Sequence, residues 1–294
     1  MTAPTRFAVE ATLAEIRAAG AGSYESVRPL DGGMQGGAWL VTDERGSHAV
    51  LKRANDDVTA ARMIAAEPAV ARAVAAGYPT PPWRAAGMTP SGTGYVIMER
   101  APGAPVERLT APVAERLIRT VELQGNVDPL PGRNWSDHVG SWYSERVGPS
   151  LARVRALGPG GARLAAACAA VQALVGQPRL RRADLVHGDL RLANVLFERG
   201  HVSGVVDVEA LGSGSRAFDY ATVLDSPDAE DDALELVVEA GSEVDGADAL
   251  LSCAVLVFLD LALFVADVPT PVTTADARAA DLAARLTLVR RLAR

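Results

Sequence analysis

The sequence predicts an α+β protein of two lobes, a small β-rich N-terminal half and a larger, mainly helical C-terminal half. Short β-favouring runs separated by Gly-containing turns dominate up to about residue 100, and helical patterns dominate from about residue 107. A chain of 294 residues with 49% hydrophobic content can bury a sizeable core in one or two domains. We predict lobes over residues 1–101 and 102–294, joined at PGAP (102–105).

The N-terminal half is predicted to combine helices, strands and a glycine-rich loop. Residues 7–20 are amphipathic and predict a helix. The runs YESVRPL, LDGGMQGGAWLVT and HAVLKR predict a strand, a loop and a hairpin. Residues 56–76 predict a helix with a start or kink at Pro68. The segment GYPTPPWRAAG predicts a turn-rich connection, and TGYVIMER predicts a strand that ends at APGAP.

The C-terminal half contains one β-like island, residues 184–208, among its predicted helices. The helices are expected at 108–125, 135–156, 161–177, 228–240, 248–267 and 273–292. Residues 249–266 are long and apolar enough to suggest a membrane span. However, Asp260 lies within them, and a carboxylate is costly in mid-bilayer. We therefore expect a buried helix of the larger lobe.

Composition narrows the class of partner and the compartment. The net charge of −7 argues against nucleic acid, because phosphate backbones need clustered Lys and Arg. Cys168 and Cys253 lie in Ala/Leu/Val-rich runs, which indicates buried thiols in a reducing compartment. The N-terminus has no continuous apolar core before a cleavage site, so no signal peptide is predicted. We expect a cytoplasmic protein with no membrane partner.

The strongest chemical signal is HGDLRLANVLFERGHVSGVVDVE, residues 187–209. Phosphoryl transfer needs a carboxylate that accepts or orients a hydroxyl proton, together with oxygen ligands for Mg²⁺. Asp189, Asn194 and Asp207 supply this set, and the short connection at 198–202 predicts a hairpin that brings the last two together. A lone His-x-Asp would be an ordinary solvated turn, but the full spacing is much more specific.

This stretch resembles the catalytic loop of the aminoglycoside-phosphotransferase and choline-kinase family of small-molecule kinases, whose fold is similar to that of protein kinases. The similarity continues through GSGSRAFDYATVL. It implies that Asp189 is the catalytic base and that Asn194 and Asp207 hold magnesium. Arg191 falls where protein kinases often carry a Lys that faces the γ-phosphate.

The same resemblance gives two residues a supporting role. His187 and Asp219 are expected to brace the loop rather than to react. Only eleven residues separate Asp207 from Asp219. This spacing leaves no room for a phosphorylated activation segment of protein-kinase length and therefore disfavours protein substrates.

By the same resemblance, the N-terminal half binds ATP or GTP. Gly33, Gly36 and Gly37 belong to the glycine-rich loop, which lets backbone N–H groups approach phosphates, although such a loop is by itself often only a turn. Lys52 is the single lysine among 29 basic residues and is similar to the phosphate-binding lysine of the family. Glu67 is its expected partner.

The run YVIMERAPG resembles the strand that ties the two lobes together. Met98 is expected to back the adenine pocket. The backbones of Glu99 and Ala101 are expected to hydrogen-bond the base.

The acceptor is less clearly encoded. Residues 225–248 contain ten acidic residues and no basic residue. This stretch either attracts a polycationic aminoglycoside or is a solvated face of a helix and loop. Trp135, His138 and Trp142 share one helical face, for stacking on a sugar or base or for core packing. We expect O-phosphorylation of a hydroxylated small molecule, with an antibiotic as the leading acceptor. The alternatives are a metabolic kinase for choline, a fructosamine-like adduct or a sugar, and a non-catalytic nucleotide-binding module.

Overall fold

A computed structural model describes residues 5–30, 37–54, 56–128, 133–176, 178–268 and 273–293. The N-terminal part forms a five-stranded antiparallel sheet of strand order β1-β2-β3-β5-β4. Its strands are β1 (Tyr24–Pro29), β2 (Trp39–Asp43), β3 (His48–Ala54), β4 (Trp83–Met88) and β5 (Gly94–Glu99).

A helix covers each face of this sheet. Helix α1 (Arg6–Ala18) packs its buried residues against one face, where Arg53 of β3 donates to Thr12 at 2.8 Å. Helix α2 (Asp57–Ala65) packs Met63 near Met98 on the other face. Side chains alternate between faces along a strand, so Lys52 lies on the α2 face.

The helix predicted over residues 56–76 is two helices, because α2 ends at Ala65 and α3 (Glu67–Ala75) begins after a single intervening residue. Pro68 lies in the first turn of α3, where its missing N–H is tolerated. Val70 and Ala73 of α3 are buried in the core of the helical half.

The turn-rich connection predicted at GYPTPPWRAAG is wrong in its second half. Strand β4 begins at Trp83, directly after the prolines. It is an edge strand with a bulge between Trp83 and Ala85. At an edge, a strand with weak β-propensity and neighbouring prolines can still pair on one side.

The helical half is built around one long apolar helix, α10 (Ala247–Asp267). It is the one helix in the described ranges that is long and apolar enough to cross a membrane, and 78% of its most apolar window is buried inside the protein. It is therefore a core helix, as predicted. The other helices are α4 (Ala111–Glu122), α5 (Trp135–Glu145), α6 (Val147–Arg155), α7 (Pro159–Val175), α8 (Ala217–Val223), α9 (Asp231–Asp245) and α11 (Ala275–Leu292).

The predicted β-like island, together with two flanking short strands, forms two small sheets on either side of the HGDLRLAN segment, residues 187–194. The strands are β6 (Ala104–Pro105), β7 (Asp184–Val186), β8 (Val195–Glu198), β9 (His201–Val205) and β10 (Gly212–Gly214). Strand β7 pairs with β10, and the β8–β9 hairpin pairs with β6. The PGAP segment is thus attached to the hairpin, and Ser203 also donates to the Pro102 carbonyl at 2.6 Å. The predicted two-lobed α+β fold is confirmed.

Candidate active site

The loop from His187 to Asn194 connects β7 to β8 and is held by the imidazole of His187. This side chain is fully buried. Its Nδ1 accepts from the Asp189 N–H at 3.2 Å, and its Nε2 lies 2.9 Å from the Val206 carbonyl oxygen. An imidazole protonated at Nε2 satisfies both contacts. One imidazole therefore ties the loop to the strand that leads to Asp207.

Asp219 holds the same loop from α8. Its buried carboxylate accepts the backbone N–H groups of His187 at 2.7 Å and Gly188 at 2.8 Å. The amide of Gln124 donates to it at 2.8 Å. Burial raises the pKa of Asp219, although His187 and the two N–H groups oppose this effect. These contacts agree with the bracing roles predicted for His187 and Asp219.

Gln124 and Trp135 also support the loop, and sequence reasoning missed both in this role. Gln124 is fully buried and also contacts the Tyr78 hydroxyl at 3.2 Å. Gly188 has φ +84°, and a methyl group there would lie 2.0 Å from Cζ2 of Trp135. Only glycine therefore fits between the loop and this indole.

The carboxylate of Asp189 lies at the surface of the loop, with its side chain 43% exposed. Its Oδ1 forms an ion pair with Nε of Arg191 at 2.6 Å. The Asn194 amide donates to the Asp189 carbonyl at 2.8 Å and lies 3.5 Å from Oδ2. Asp189, Arg191 and Asn194 are thus brought together.

Asn194 and Asp207 are linked through the hairpin. The Val206 N–H donates to the Asn194 carbonyl at 2.8 Å, which places the residue before Asp207 beside Asn194. Asp207 itself has φ +64°, in the left-handed region. This conformation costs roughly 1–3 kcal/mol for a residue other than glycine and is a frequent sign of a functional position.

Lys52 reaches from the small sheet into the helical half. Its Nζ lies 2.6 Å from Oδ1 of Asp207 and 2.7 Å from Oε1 of Glu209. Burial lowers the pKa of Lys52, but Glu209 and Asp207 outweigh it, and the net shift is upward. Burial likewise opposes ionisation of Asp207, and Lys52 reverses this effect and lowers its pKa. The Lys52 ammonium and the Asp207 carboxylate are therefore both charged.

The predicted pair of Lys52 with Glu67 is not formed. Because α3 begins at Glu67 and carries Val70 into the helical core, the Glu67 side chain remains exposed at the helix start. Glu209 takes the place predicted for it. Sequence reasoning passed over Glu209, although its position two residues after Asp207 was a usable signal.

The nucleotide-binding residues predicted from the resemblance are only partly described. Gly33 and Gly36 lie outside the described residues, and Gly37 has φ +73°. Met98 is buried and lies opposite Val50 in the register of β3 and β5, on the Lys52 side of the sheet.

The segment that links the two lobes has few free backbone groups that could hydrogen-bond a nucleotide base. The Glu99 N–H already donates to the Pro82 carbonyl at 2.9 Å, so only the carbonyl of Glu99 is left for a ligand. Ala101 packs against Gly204 of β9, where a methyl group would lie 2.6 Å from the Ala101 Cβ.

Comparison with known proteins gives the family. The sequence model of the phosphotransferase enzyme family matches residues 26–251. A search of curated proteins gave no match. Among solved structures, a macrolide 2′-phosphotransferase from Brachybacterium faecium is 20% identical with a TM-score of 0.62, over 93% of this chain and 98% of that chain.

Two further solved structures share the fold. A macrolide 2′-phosphotransferase of type I is 17% identical with a TM-score of 0.63, over 100% of this chain and 99% of that one. A thermostable mutant of aminoglycoside phosphotransferase APH(4)-Ia, in a ternary complex with AMP-PNP and hygromycin B, is 17% identical with a TM-score of 0.62, over 97% of each chain. The family match covers well over half of the sequence, and this chain belongs to the phosphotransferase enzyme family.

Proposed function

We propose that this chain transfers the γ-phosphate of ATP or GTP to a hydroxyl group of a small molecule in the cytoplasm, with an antibiotic as the leading acceptor. The observation that carries the proposal is the meeting of Lys52 from the small sheet with Asp207 from the catalytic hairpin, at 2.6 Å. A nucleoside triphosphate with its metal requires a cation that binds phosphate and a carboxylate that binds the metal, placed close together.

Mg²⁺ fits the residues at this point. Asn194 commits its amide N–H to Asp189, so its amide oxygen is the end that can act as a ligand. With the Asp207 carboxylate this gives two hard oxygen donors, which suit Mg²⁺ held jointly by protein and phosphates. When bound, the ion neutralises charge that develops on the transferred phosphoryl group.

Asp189 accepts the proton of the acceptor hydroxyl in the proposed reaction. The acceptor oxygen then bonds to the γ-phosphorus, and the bond from that phosphorus to the leaving nucleoside diphosphate breaks. Arg191 lies 2.6 Å from Asp189 in the ligand-free chain. We propose that it turns to the γ-phosphate when substrates bind, because a guanidinium is suited to bidentate contacts with phosphate.

The other end of the nucleotide is proposed to lie under the small sheet. Lys52 grips the α- and β-phosphates, with backbone amides of the loop around Gly33, Gly36 and Gly37 beside them. Met98 packs against the adenine ring, and the Glu99 carbonyl and the Ala101 backbone form hydrogen bonds with the edge of the base. Glu67 becomes the partner of Lys52 once the metal occupies Asp207.

The acceptor class rests on similarity as well as on the site. Macrolide and aminoglycoside phosphotransferases share the fold, and the structure of one of them contains hygromycin B. The two unpaired, buried cysteines support a reducing compartment.

Nucleotide turnover tests this function directly. Purified protein is incubated with ATP or GTP, with and without Mg²⁺, alone and with a macrolide, hygromycin B, choline or a sugar. Magnesium-dependent release of the diphosphate, stimulated by one acceptor and accompanied by a phosphorylated product, is the expected result. Binding of nucleotide without turnover on any acceptor would indicate a non-catalytic module instead.

A further inference from the structure

The face between α5 and α10 carries groups that the proposed chemistry does not use. On α5, Trp135 and His138 lie one turn apart, with ring centroids 5.4 Å apart. On α10, Asp260 and Phe264 are four residues apart and both exposed, so they share one side of the helix. Phe264 is one of the few large apolar side chains left at the surface, 47% exposed. These four residues define the α5–α10 face.

This face begins at the catalytic loop. The indole of Trp135 lies against Gly188 and donates its N–H to the Ala210 carbonyl at 3.0 Å. Seven residues further along α5, Trp142 donates its indole N–H to Asp260 at 3.3 Å. At 1.5 Å per residue, these seven residues span about 10 Å. The face therefore extends about 10 Å along α5, from the indole packed on Gly188 to the indole bonded to Asp260.

Asp260 is the exception within its helix. It is the only charged side chain between Asp248 and Asp267, and most of its neighbours are buried in the core. Among the described residues it has one hydrogen bond, to a neutral indole, and no Lys, Arg or His within 4.0 Å. Because this carboxylate is exposed and has no ion pair, a cationic ligand can reach it.

The ionisable groups of this face influence one another. Burial raises the pKa of Asp260, against the opposing effects of Trp142, His138 and Arg146. Burial lowers the pKa of His138, and Arg146 and Arg133 add to this effect while Asp260 opposes it. Among the described residues neither His138 nor Arg146 forms an ion pair with Asp260, whose carboxylate faces solvent.

We infer that the α5–α10 face binds the acceptor, resting on the proposed function, and that Asp260 binds an ammonium group of it. Phe264 lies one helical turn from Asp260, and the Trp135 indole lies at the other end of the face. An amine attached to an apolar frame matches this combination. The acceptor class is a hydroxylated amine with a single ammonium group next to apolar rings.

A polycation has less to bind in this structure than the sequence suggested. Two acids of the stretch 225–248 already have partners inside the protein. Asp245 accepts from Arg181 at 2.9 Å, and Asp225 accepts from Arg278. These acids hold the helical half together and are not part of the α5–α10 face.

Ligand binding, rather than turnover, tests the inference. Wild type, Asp260→Asn, Asp260→Glu and Asp267→Asn are titrated by tryptophan fluorescence with three amines. The probes are protonated benzyldimethylamine, a macrolide with one dimethylamino group, and hygromycin B, with benzyl alcohol as an uncharged reference. Asp267 is the matched control, since it is exposed on the same helix and pairs with Arg153 at 3.4 Å.

We expect Asp260→Asn to raise the Kd of the first two amines about ten- to hundred-fold, the usual loss for a hydrogen bond to a charged group. Asp260→Glu should lose less, because it keeps the charge, and Asp267→Asn and benzyl alcohol should show no shift. Melting curves confirm that each variant is folded. Equal Kd values for wild type and Asp260→Asn would overturn the inference, as would failure of all three amines to bind wild type.

Failure of the proposed function can be distinguished from failure of the binding face. Amine binding that depends on Asp260, without Mg²⁺-dependent phosphate transfer to any acceptor, would remove the phosphotransfer proposal and leave the binding face. Phosphate transfer to an amine whose Kd ignores Asp260 would remove the binding face alone.

Discussion

The loop from His187 to Asn194 and the α5–α10 face differ in how many hydrogen bonds their carboxylates receive. Next to the loop, Asp219 of α8 is fully buried and accepts two backbone N–H groups and the Gln124 amide, all at 2.7–2.8 Å. On the face, Asp260 has one indole bond of 3.3 Å. The first carboxylate is satisfied by the protein itself and fixes geometry. The second has room for a partner from outside the protein. Asp189 is intermediate, because it is half-exposed and has an ion pair with Arg191.

The largest effect should come from the exposed carboxylate of the loop. If Asp189 takes the acceptor proton, Asp189→Ala should lower turnover by about two to four orders of magnitude. Nucleotide affinity should change little, because the base faces the acceptor. Steady-state kinetics and a nucleotide titration measure the two quantities. A near-normal kcat in this variant would remove the proposed role of Asp189.

The next effect tests whether Asp219 is structural. Asp219→Asn keeps the shape but replaces one acceptor oxygen by a donor, which then faces a backbone N–H. Leaving a buried group unsatisfied costs about 1–3 kcal/mol, so the free energy of unfolding should fall by that amount. Turnover should fall as the loop shifts.

A surface carboxylate provides the control for Asp219. Asp137 forms an exposed ion pair with Arg182. Asp137→Asn should change the free energy of unfolding by less than about 0.5 kcal/mol. Similar losses in both variants, from chemical denaturation, would mean that the contacts of Asp219 do not brace the loop.

The comparison also explains what could be predicted from the sequence. The loop is a local motif, since His187, Asp189 and Asn194 lie within eight residues and their spacing fixes the geometry. The two lobes followed from hydrophobic periodicity, which is also local. Lys52 lies in β3, within the run HAVLKR that was predicted to form part of a hairpin.

The errors come from contacts between residues that are far apart in sequence. Lys52 and Glu209 are separated by 157 positions, and the position of Glu209 two residues after Asp207 is the one local signal for the pair. The expected partner, Glu67, is only fifteen residues from Lys52, but Pro68 starts a new helix there. Asp260 was noticed only as an argument against a membrane span, since its indole partner lies 118 positions away.

A smaller effect is expected from the shape of the basic group at Lys52. Two carboxylates hold its ammonium at 2.6 and 2.7 Å in the ligand-free chain. A guanidinium can bind both, but it is planar and larger, so it should not also fit the α/β-phosphates. Lys52→Arg should therefore raise the nucleotide KM or lower kcat several-fold.

Melting curves without nucleotide give the reference for Lys52→Arg. The melting temperature should change little, because both carboxylates keep a cationic partner. Unchanged kinetics would mean that any positive charge suffices at this position, and the nucleotide site would then depend on the catalytic hairpin alone.

The smallest effect separates the two carboxylates offered to Lys52. Glu209 is mostly buried and lies 2.7 Å from Nζ, whereas Glu67 is exposed at the start of α3. Without nucleotide, Glu209→Gln should lower the free energy of unfolding by about 1 kcal/mol, and Glu67→Gln by less than about 0.5 kcal/mol. In steady-state titrations of nucleotide with Mg²⁺ the order should reverse, because the metal then occupies Asp207 and Lys52 needs a new partner. Glu67→Gln should raise the nucleotide KM a few-fold. If Glu67→Gln is silent in both assays, Glu209 is the lasting partner of Lys52, and Glu67 has no part in binding the nucleotide.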